Sequence, residues 1–347
     1  MTGPLDGVRI VEFEGIGPGP LAGHVLLGMG ADVTLVARPT SSALAKQFGG
    51  GQPSEIERGK RRVVLDLKSN DDRARAMDLV AGADALIDAM RPGIMERLGL
   101  GPADCSKRNP ALVYGRISGW GQSGPLAQAA GHDLNYVALS GVLSLSARRG
   151  QEPIVPPTVV GDGAGALGLA FGIVCALLEV RSTGRGCVVD AAIVDIAAML
   201  GGIAHWVRAS GQLDGSAPSP FHDSPFYDVF ECSDGRFITI GALEPRFYAL
   251  LLDRLGLSDV DPRAQYDTTQ WPALKERFRA LFKQRPRDEW RGLLEGTDVC
   301  FAPVLTVAEA ACHPHNLARN NFVRSAGAVY GAVAPRFQPL DGSSAGD

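Results

Sequence analysis

Gly7-Val-Arg-Ile-Val-Glu-Phe-Glu14, then Gly15-Ile-Gly-Pro-Gly-Pro20, then Leu21-Ala-Gly-His-Val-Leu-Leu-Gly-Met29, is the stretch on which the fold turns. An apolar run, a glycine and proline turn and a helix-suited segment lead into a second apolar run, Asp32 to Ala37. That order predicts strand, turn, helix and strand, the opening of an α/β sheet. Glycines at 15, 17 and 19 are spaced G-x-G-x-G, and Pro18 and Pro20 remove two backbone donors that a pyrophosphate would use. The second run ends at Arg38, where an NAD site wants an acid. The opening therefore reads as an open, Rossmann-like sheet without the dinucleotide fingerprint, with its ligand at the carboxyl ends of the strands.

Outward from there, more strands are expected at the V-V-L-D-L run after Arg58-Gly-Lys-Arg-Arg62, at Ala83 to Ala89 and at Ala111 to Ser118, with a helix at about Ser69 to Val80. Arg38, Lys60, Arg91 and Arg116 each stand at the start or end of one of these strands. Singly, each reads equally well as a solvated charge. As a set they suit the oxygens of a phosphate-bearing ligand.

The composition limits the function classes. A chain of 347 residues, 45% hydrophobic and 21% charged, folds into a substantial core and is long enough for two domains. Its net charge of -4 argues against a nucleic-acid partner. Six cysteines are scattered with no C-x-x-C pair, which suits a reduced, cytoplasmic chain. The first residues lack the basic-then-apolar order of a signal peptide. The longest apolar run, Gly163 to Leu178, reads as a buried core helix rather than a membrane span.

Between Gly131 and Gly165 stand the two residues best suited to move protons, His132 in G-H-D-L-N-Y and Asp162 in V-V-G-D-G-A-G-A. A histidine titrates near neutral pH unaided, and an aspartate ahead of a helix is expected to stay ionised. By local sequence alone His132 reads at least as well as a structural residue, and Asp162 as a helix cap. Cys312-His313-x-His315 lacks a second pair of ligands at metal-site spacing, and no metal is expected.

Beyond Asp162 two apolar helices are predicted, at about 163 to 181 and 191 to 209, each needing cover on several sides. Composition shifts to Gly, Ser and Pro from Gly211 to Phe226, which marks a boundary. A hairpin turning at Ser233-Asp-Gly, helices at about 272–284 and 287–295 and the run V-C-F-A-P-V-L form an α+β module. The chain thus divides into a large α/β domain, 1–185, a helical linker, 186–225, a small α+β domain, 226–315, and a C-terminal segment, 316–347, free to return to the first domain.

Several segments, read together, resemble the family III CoA-transferase superfamily, and within it the α-methylacyl-CoA racemase branch. They are G-P-L-D-G-V-R-I-V-E, G-A-D-V-T-L-V-A-R-P, R-G-K-R-R-V-V-L-D-L-K, R-P-G-I-M-E-R-L-G-L-G, G-W-G-Q-S-G-P, A-G-H-D-L-N-Y, V-G-D-G-A-G-A, F-x-C-S-D-G-R-F and G-A-L-E-P-R-F-Y. Each is modest; their shared order across nearly the whole chain is specific. The resemblance implies an interlocked homodimer with a site shared between one large domain and the other chain's small domain. It implies His132 and Asp162 as acid/base residues, Glu244 as support for the histidine, and an acyl-CoA thioester as substrate. For the CoA moiety it points to Arg38 and Arg91, with Lys60 nearby and Ile16, Tyr136 and Asp133 along the path. F-H-D-S-P-F-Y, 221–227, departs from the smaller D-G-G-A-P-Y-Y of the racemases and leaves acyl specificity open.

The chemistry of those residue types agrees. Inverting a carbon beside a thioester takes a base on one face and an acid on the other, passing through an enolate. Thioester activation makes metal, NAD and pyridoxal unnecessary, and the glycine-rich backbone around Asp162 is expected to stabilise the enolate oxygen. The alternatives are CoA transfer with Asp162 as nucleophile, or a non-catalytic protein that binds CoA thioesters.

Overall fold

The structure is a computed structural model and describes residues 3–40, 54–148, 150–213, 217–338 and 340. Met1, Thr2, residues 341–347 and part of the 211–226 boundary, all read above, lie outside the described residues. The chain divides into two units: 1–144, 154–200 and 320–347 form the first, 145–153 and 201–319 the second.

In the first unit, β1 (Arg9–Phe13), α1 (Pro18–Gly28) and β2 (Asp32–Ala37) form the expected opening. β3 (Arg61–Val64), α2 (Asn70–Ala81), β4 (Ala85–Asp88), α3 (Pro102–Arg108) and β5 (Val113–Ser118) follow. Next come α4 (Asp133–Leu139), a π-helical turn (Val159–Gly163) that runs into α5 (Ala164–Thr183), β6 (Val188–Ala192) and α6 (Ile193–Leu200). The six strands are all parallel, in the order β3-β2-β1-β4-β5-β6. The order reverses between β1 and β4, and such a switch point opens a crevice at the carboxyl ends of the strands.

The strands read as near-continuous apolar runs because both faces of the sheet are covered. One core gathers Ile10, Val33, Ile87, Val113 and Ile117 under α1 and α5, with Leu26, Leu169 and Ile173 from those helices. The other gathers Val11, Phe13, Val36, Leu86 and Tyr114 with Ala76, Val80 and Cys105 from α2 and α3. Val159–Thr183 is long and apolar enough to cross a membrane. It is nevertheless a core helix: Ala166, Leu169 and Ile173 are fully buried, and a Cβ on Gly115 of β5 would lie 2.9 Å from Ile173.

Two boundaries differ from expectation. Residues 186–200 are not linker: Val188–Ala192 is the sixth strand, paired with β5 from Tyr114↔Val188 to Ser118↔Ala192. Its five residues, V-V-D-A-A, pass directly into the helix I-V-D-I-A-A-M-L with no turn residue to mark the junction. The apolar stretch beyond is also two helices, α6 and α7 (Gly202–Ala209), separated at Gly201.

The second unit has its own core. β7 (Tyr227–Glu231) and β8 (Phe237–Gly241) form the predicted hairpin, and β9 (Phe301–Pro303) adds antiparallel to β8. α8 (Pro245–Arg254), α9 (Trp271–Phe282) and α10 (Arg287–Leu294) cover it, with Phe226, Phe230, Phe278, Phe282 and Trp290 packed edge to face or tilted. Asp228, buried in β7, is matched by Arg148 and Lys275, whose Nζ lies 2.7 Å from it. The chain then returns to the first unit, where β10 (Phe322–Ser325) and β11 (Ala328–Gly331) pair and Val333 packs against Gly28 of α1.

Candidate active site

The β1/β4 switch point holds a cavity of about 380 Å³. Gly15, Ile16, Gly17 and Pro18 after β1 form one wall, Ala89 to Pro92 after β4 another, and Ser118 to Trp120 after β5 a third. His132, Tyr136 and Asp162 also line it, and every lining residue belongs to the first unit. The two expected acid/base residues, 30 positions apart in sequence, thus face one space.

His132 is exposed and caps α4. Its backbone N–H donates to Asn135 Oδ1 at 3.0 Å. Asp162 is half-buried in the π-helical turn. Gly17, at φ +74°, passes close to it, and a Cβ there would stand 3.2 Å from Asp162 Oδ2. Only glycine suits that positive φ and that approach.

Two expectations about Asp162 are overturned. Its ionised form is not favoured by a helix end: burial first, then the charge of Asp133, push its carboxyl up to about 6, against the pull of His132. Nor does the glycine-rich backbone offer its donors to an enolate. Gly161 and Asp162 give their N–H groups to Asp133 Oδ1 at 2.8 and 2.7 Å, Gly163 gives its own to Thr158 O, and Ala164 bonds to Gly161 O. Asp133 itself is buried and stands outside the cavity lining, with no hydrogen-bond partner for Oδ2 among the described residues. Its place is under the Asp162 turn rather than along a ligand path.

Of the predicted cations, Arg38 and Arg91 are exposed and line the cavity. The Arg38 backbone N–H is fixed by Glu14 Oε2 at 2.5 Å, and its guanidinium lies against Met90. Lys60 differs. Its Nζ lies 2.6 Å from Glu12 Oε2 and 2.8 Å from Pro20 O, and both side chains are wholly buried. Burial pushes the Glu12 carboxyl up to about 7 and the Lys60 ammonium down, each charge pulling the other back. A cation in that position neutralises the core of the sheet and does not reach the rim. Arg116 is likewise committed, to Asp88 and Glu96. A second hollow of about 420 Å³ adjoins Arg38 and is lined by Val36, Leu65, Leu67, Ile94 and Lys68, a lysine that sequence reading passed over because it follows its strand by several residues.

In the second unit Glu244 is exposed and caps α8, its carbonyl accepting from Phe247 and Tyr248 at 3.0 Å. Gln265 and Tyr266 fix the preceding carbonyls of Ala242 and Leu243 at 2.6 to 3.0 Å. The 221–227 stretch is a closed turn: Asp223 accepts Ser219 N–H at 2.7 Å and Lys275 donates to His222 O. His313, in the Cys312-His313-x-His315 run, is engaged with Glu295 at 2.8 Å.

The sequence of CoA-transferase family III matches residues 5–343. The chain belongs to CoA-transferase family III. Among its relatives is the alpha-methylacyl-CoA racemase of Mus musculus, 41% identical over 92% of this chain and 82% of the relative. The acetyl-CoA:oxalate CoA-transferase of Acetobacter aceti is 31% identical over 94% and 87%. A solved CaiB/BaiF family protein from Brucella suis superposes with a TM-score of 0.84 at 27% identity, over 99% of this chain and 96% of that one. In the G-x-G-x-G turn that lacks the dinucleotide fingerprint, Gly17 lies against Asp162, while a Cβ on Gly15 or Gly19 would stand 2.7 Å from Ala89.

Proposed function

We propose that the protein is an isomerase that interconverts (R)- and (S)-2-methylacyl-CoA thioesters. The observation that carries the reading is the single cavity lined by both His132 and Asp162, in a chain 41% identical to a racemase. In one direction neutral His132 takes the α-proton, the electron pair moves onto the thioester oxygen as an enolate, and protonated Asp162 returns a proton to the opposite face. The reverse direction exchanges the roles. A carboxyl raised to about 6 suits this exchange, since it lies in the range where imidazoles titrate and either group can be the acid.

Arg38 and Arg91 are assigned to the CoA phosphates, with the hollow beside Arg38 and Lys68 taking the nucleotide and Ile16 along the pantetheine path. The partner subunit's Glu244 is assigned to His132, fixing its tautomer in a shared site. An interlocked dimer is supported by the apolar residues that the first unit and α7 leave exposed: Leu167, Phe171, Met199, Ile203 and Trp206. CoA transfer through an acyl-Asp162 anhydride is the second reading, favoured by the Acetobacter relative.

Incubation with each epimer in deuterated water, with no second acid, separates the two. Racemisation gives α-deuterium and convergence to a near-equal mixture from either side. Absence of exchange, with CoA transfer once a free carboxylic acid is added, would replace this reading by the transferase.

A further inference from the structure

We infer that Tyr136 is a positioning residue for His132, gripping the peptide group through which the imidazole is hung. The peptide between Gly131 and His132 is held at both ends by the first turn of α4. Its N–H donates to Asn135 Oδ1 at 3.0 Å, and its C=O accepts the hydroxyl of Tyr136. With both ends fixed, that plane cannot rock, and the direction in which the His132 side chain leaves it is set.

The phenol is itself locked. A Cβ on Gly119 would stand 2.0 Å from the ring, and one on Gly131 2.7 Å from it and 2.9 Å from Trp120. Trp120 meets the ring edge to face, with centroids 4.7 Å apart and planes at 86°. Two glycines at opposite ends of the one connection between β5 and α4 thus form a slot that an aromatic ring fills. The side chain is only 8% exposed, so although it borders the cavity its polar end is spent on the backbone. Burial and the nearby Asp162 charge push the phenol up, so the hydroxyl keeps its proton as the donor. The tyrosine expected along the ligand path therefore acts through His132.

This inference rests on the racemase reading, and it makes a prediction that a general defect would not. If one base is misaligned, the epimer whose α-hydrogen faces His132 loses exchange, while the epimer facing Asp162 is still deprotonated and still takes up deuterium. The test compares wild type with Tyr136→Phe, which keeps the ring and removes the hydroxyl, measuring initial deuterium uptake from each epimer together with kcat and KM. The expected result is a fall of about tenfold in kcat, KM within about twofold, and loss of exchange confined to one epimer, since small misplacements of a reacting group cost up to about 10²-fold. The melting temperature should fall by no more than about 4 °C. Should it fall further, Asn135→Ala releases the other end of the same peptide and must give the same epimer-selective loss. Equal losses for both epimers, a raised KM at unchanged kcat, or no change would overturn the positioning role. Wild type that exchanges neither epimer would overturn the racemase reading and this inference together; active wild type with an unaltered variant overturns this inference alone.

Discussion

Asp133 Oδ1 accepts the backbone N–H of Asp162 at 2.7 Å and that of Gly161 at 2.8 Å, so one buried carboxylate both seats the second acid/base residue and faces it with like charge. Removing the charge while keeping the acceptor separates these effects. In Asp133→Asn the Asp162 carboxyl should drop toward its ordinary range, and the acidic limb of the pH–rate profile should move to lower pH for the epimer that Asp162 deprotonates. An unmoved limb would show that the Asp133 charge is not felt across the turn.

Asp162 also links pH to stability. Its folded value, about 6, lies above the unfolded 3.8, so its contribution favours the fold below about pH 4 and is lost as pH rises through 6. Above that the ionised carboxylate destabilises by about 1 kcal/mol, after discounting the full shift for solvent screening at a half-exposed group. Asp162→Asn should therefore abolish racemisation yet melt about 2 °C higher than wild type at pH 7.5, with no advantage at pH 4. Thermal melts at the two pH values check the sign.

The buried Glu12–Lys60 pair predicts a contrast between single and double variants. Lys60→Met leaves the Glu12 carboxyl in the core without its partner and should cost about 3–5 kcal/mol, whereas Glu12→Gln with Lys60→Met should recover most of it. Urea unfolding of the three proteins measures this. The crowding is also specific, since a Cβ at Gly23 would lie 1.8 Å from Glu12 Oε2.

Arg38→Ala and Arg91→Ala should each raise KM for the CoA thioester about tenfold, more at low salt, with kcat little changed. The matching acyl-pantetheine thioester, which lacks the nucleotide phosphates, should be used equally well by variant and wild type. Steady-state kinetics with the two substrates distinguishes phosphate binding from a general loss.

The α/β core was legible because its strands are short apolar runs punctuated by glycine and proline turns, and Asp32–Ala37 was read to the residue. β6 was not, because an apolar strand running straight into an apolar helix carries no change of period at their junction. At the site, residue type identified His132 and Asp162 as proton carriers, but not their surroundings. That Asp162 is raised depends on its burial and then on a carboxylate 29 positions away, and that Lys60 turns inward depends on Glu12, 48 positions away. Charge at a strand end says that a side chain is near a rim; only the fold decides whether it faces out, like Arg91, or under, like Lys60. The positioning role of Tyr136 showed no signal of its own, since its slot is closed only when Gly119 and Gly131, the two ends of the β5–α4 connection, fold back on the ring.

Val333 fills the space over Gly28 in α1, and it belongs to the last segment of the chain, after the second unit has been threaded between residues 201 and 319. During synthesis the first helix must then wait for more than three hundred further residues before its outer side is closed, while the second unit's segments are already complete. Birth order inverts sequence order: the part made last finishes the part made first. A nascent chain with residues up to 319 outside the ribosome would hold every segment of the second unit while α1 still lacked the cover of Val333.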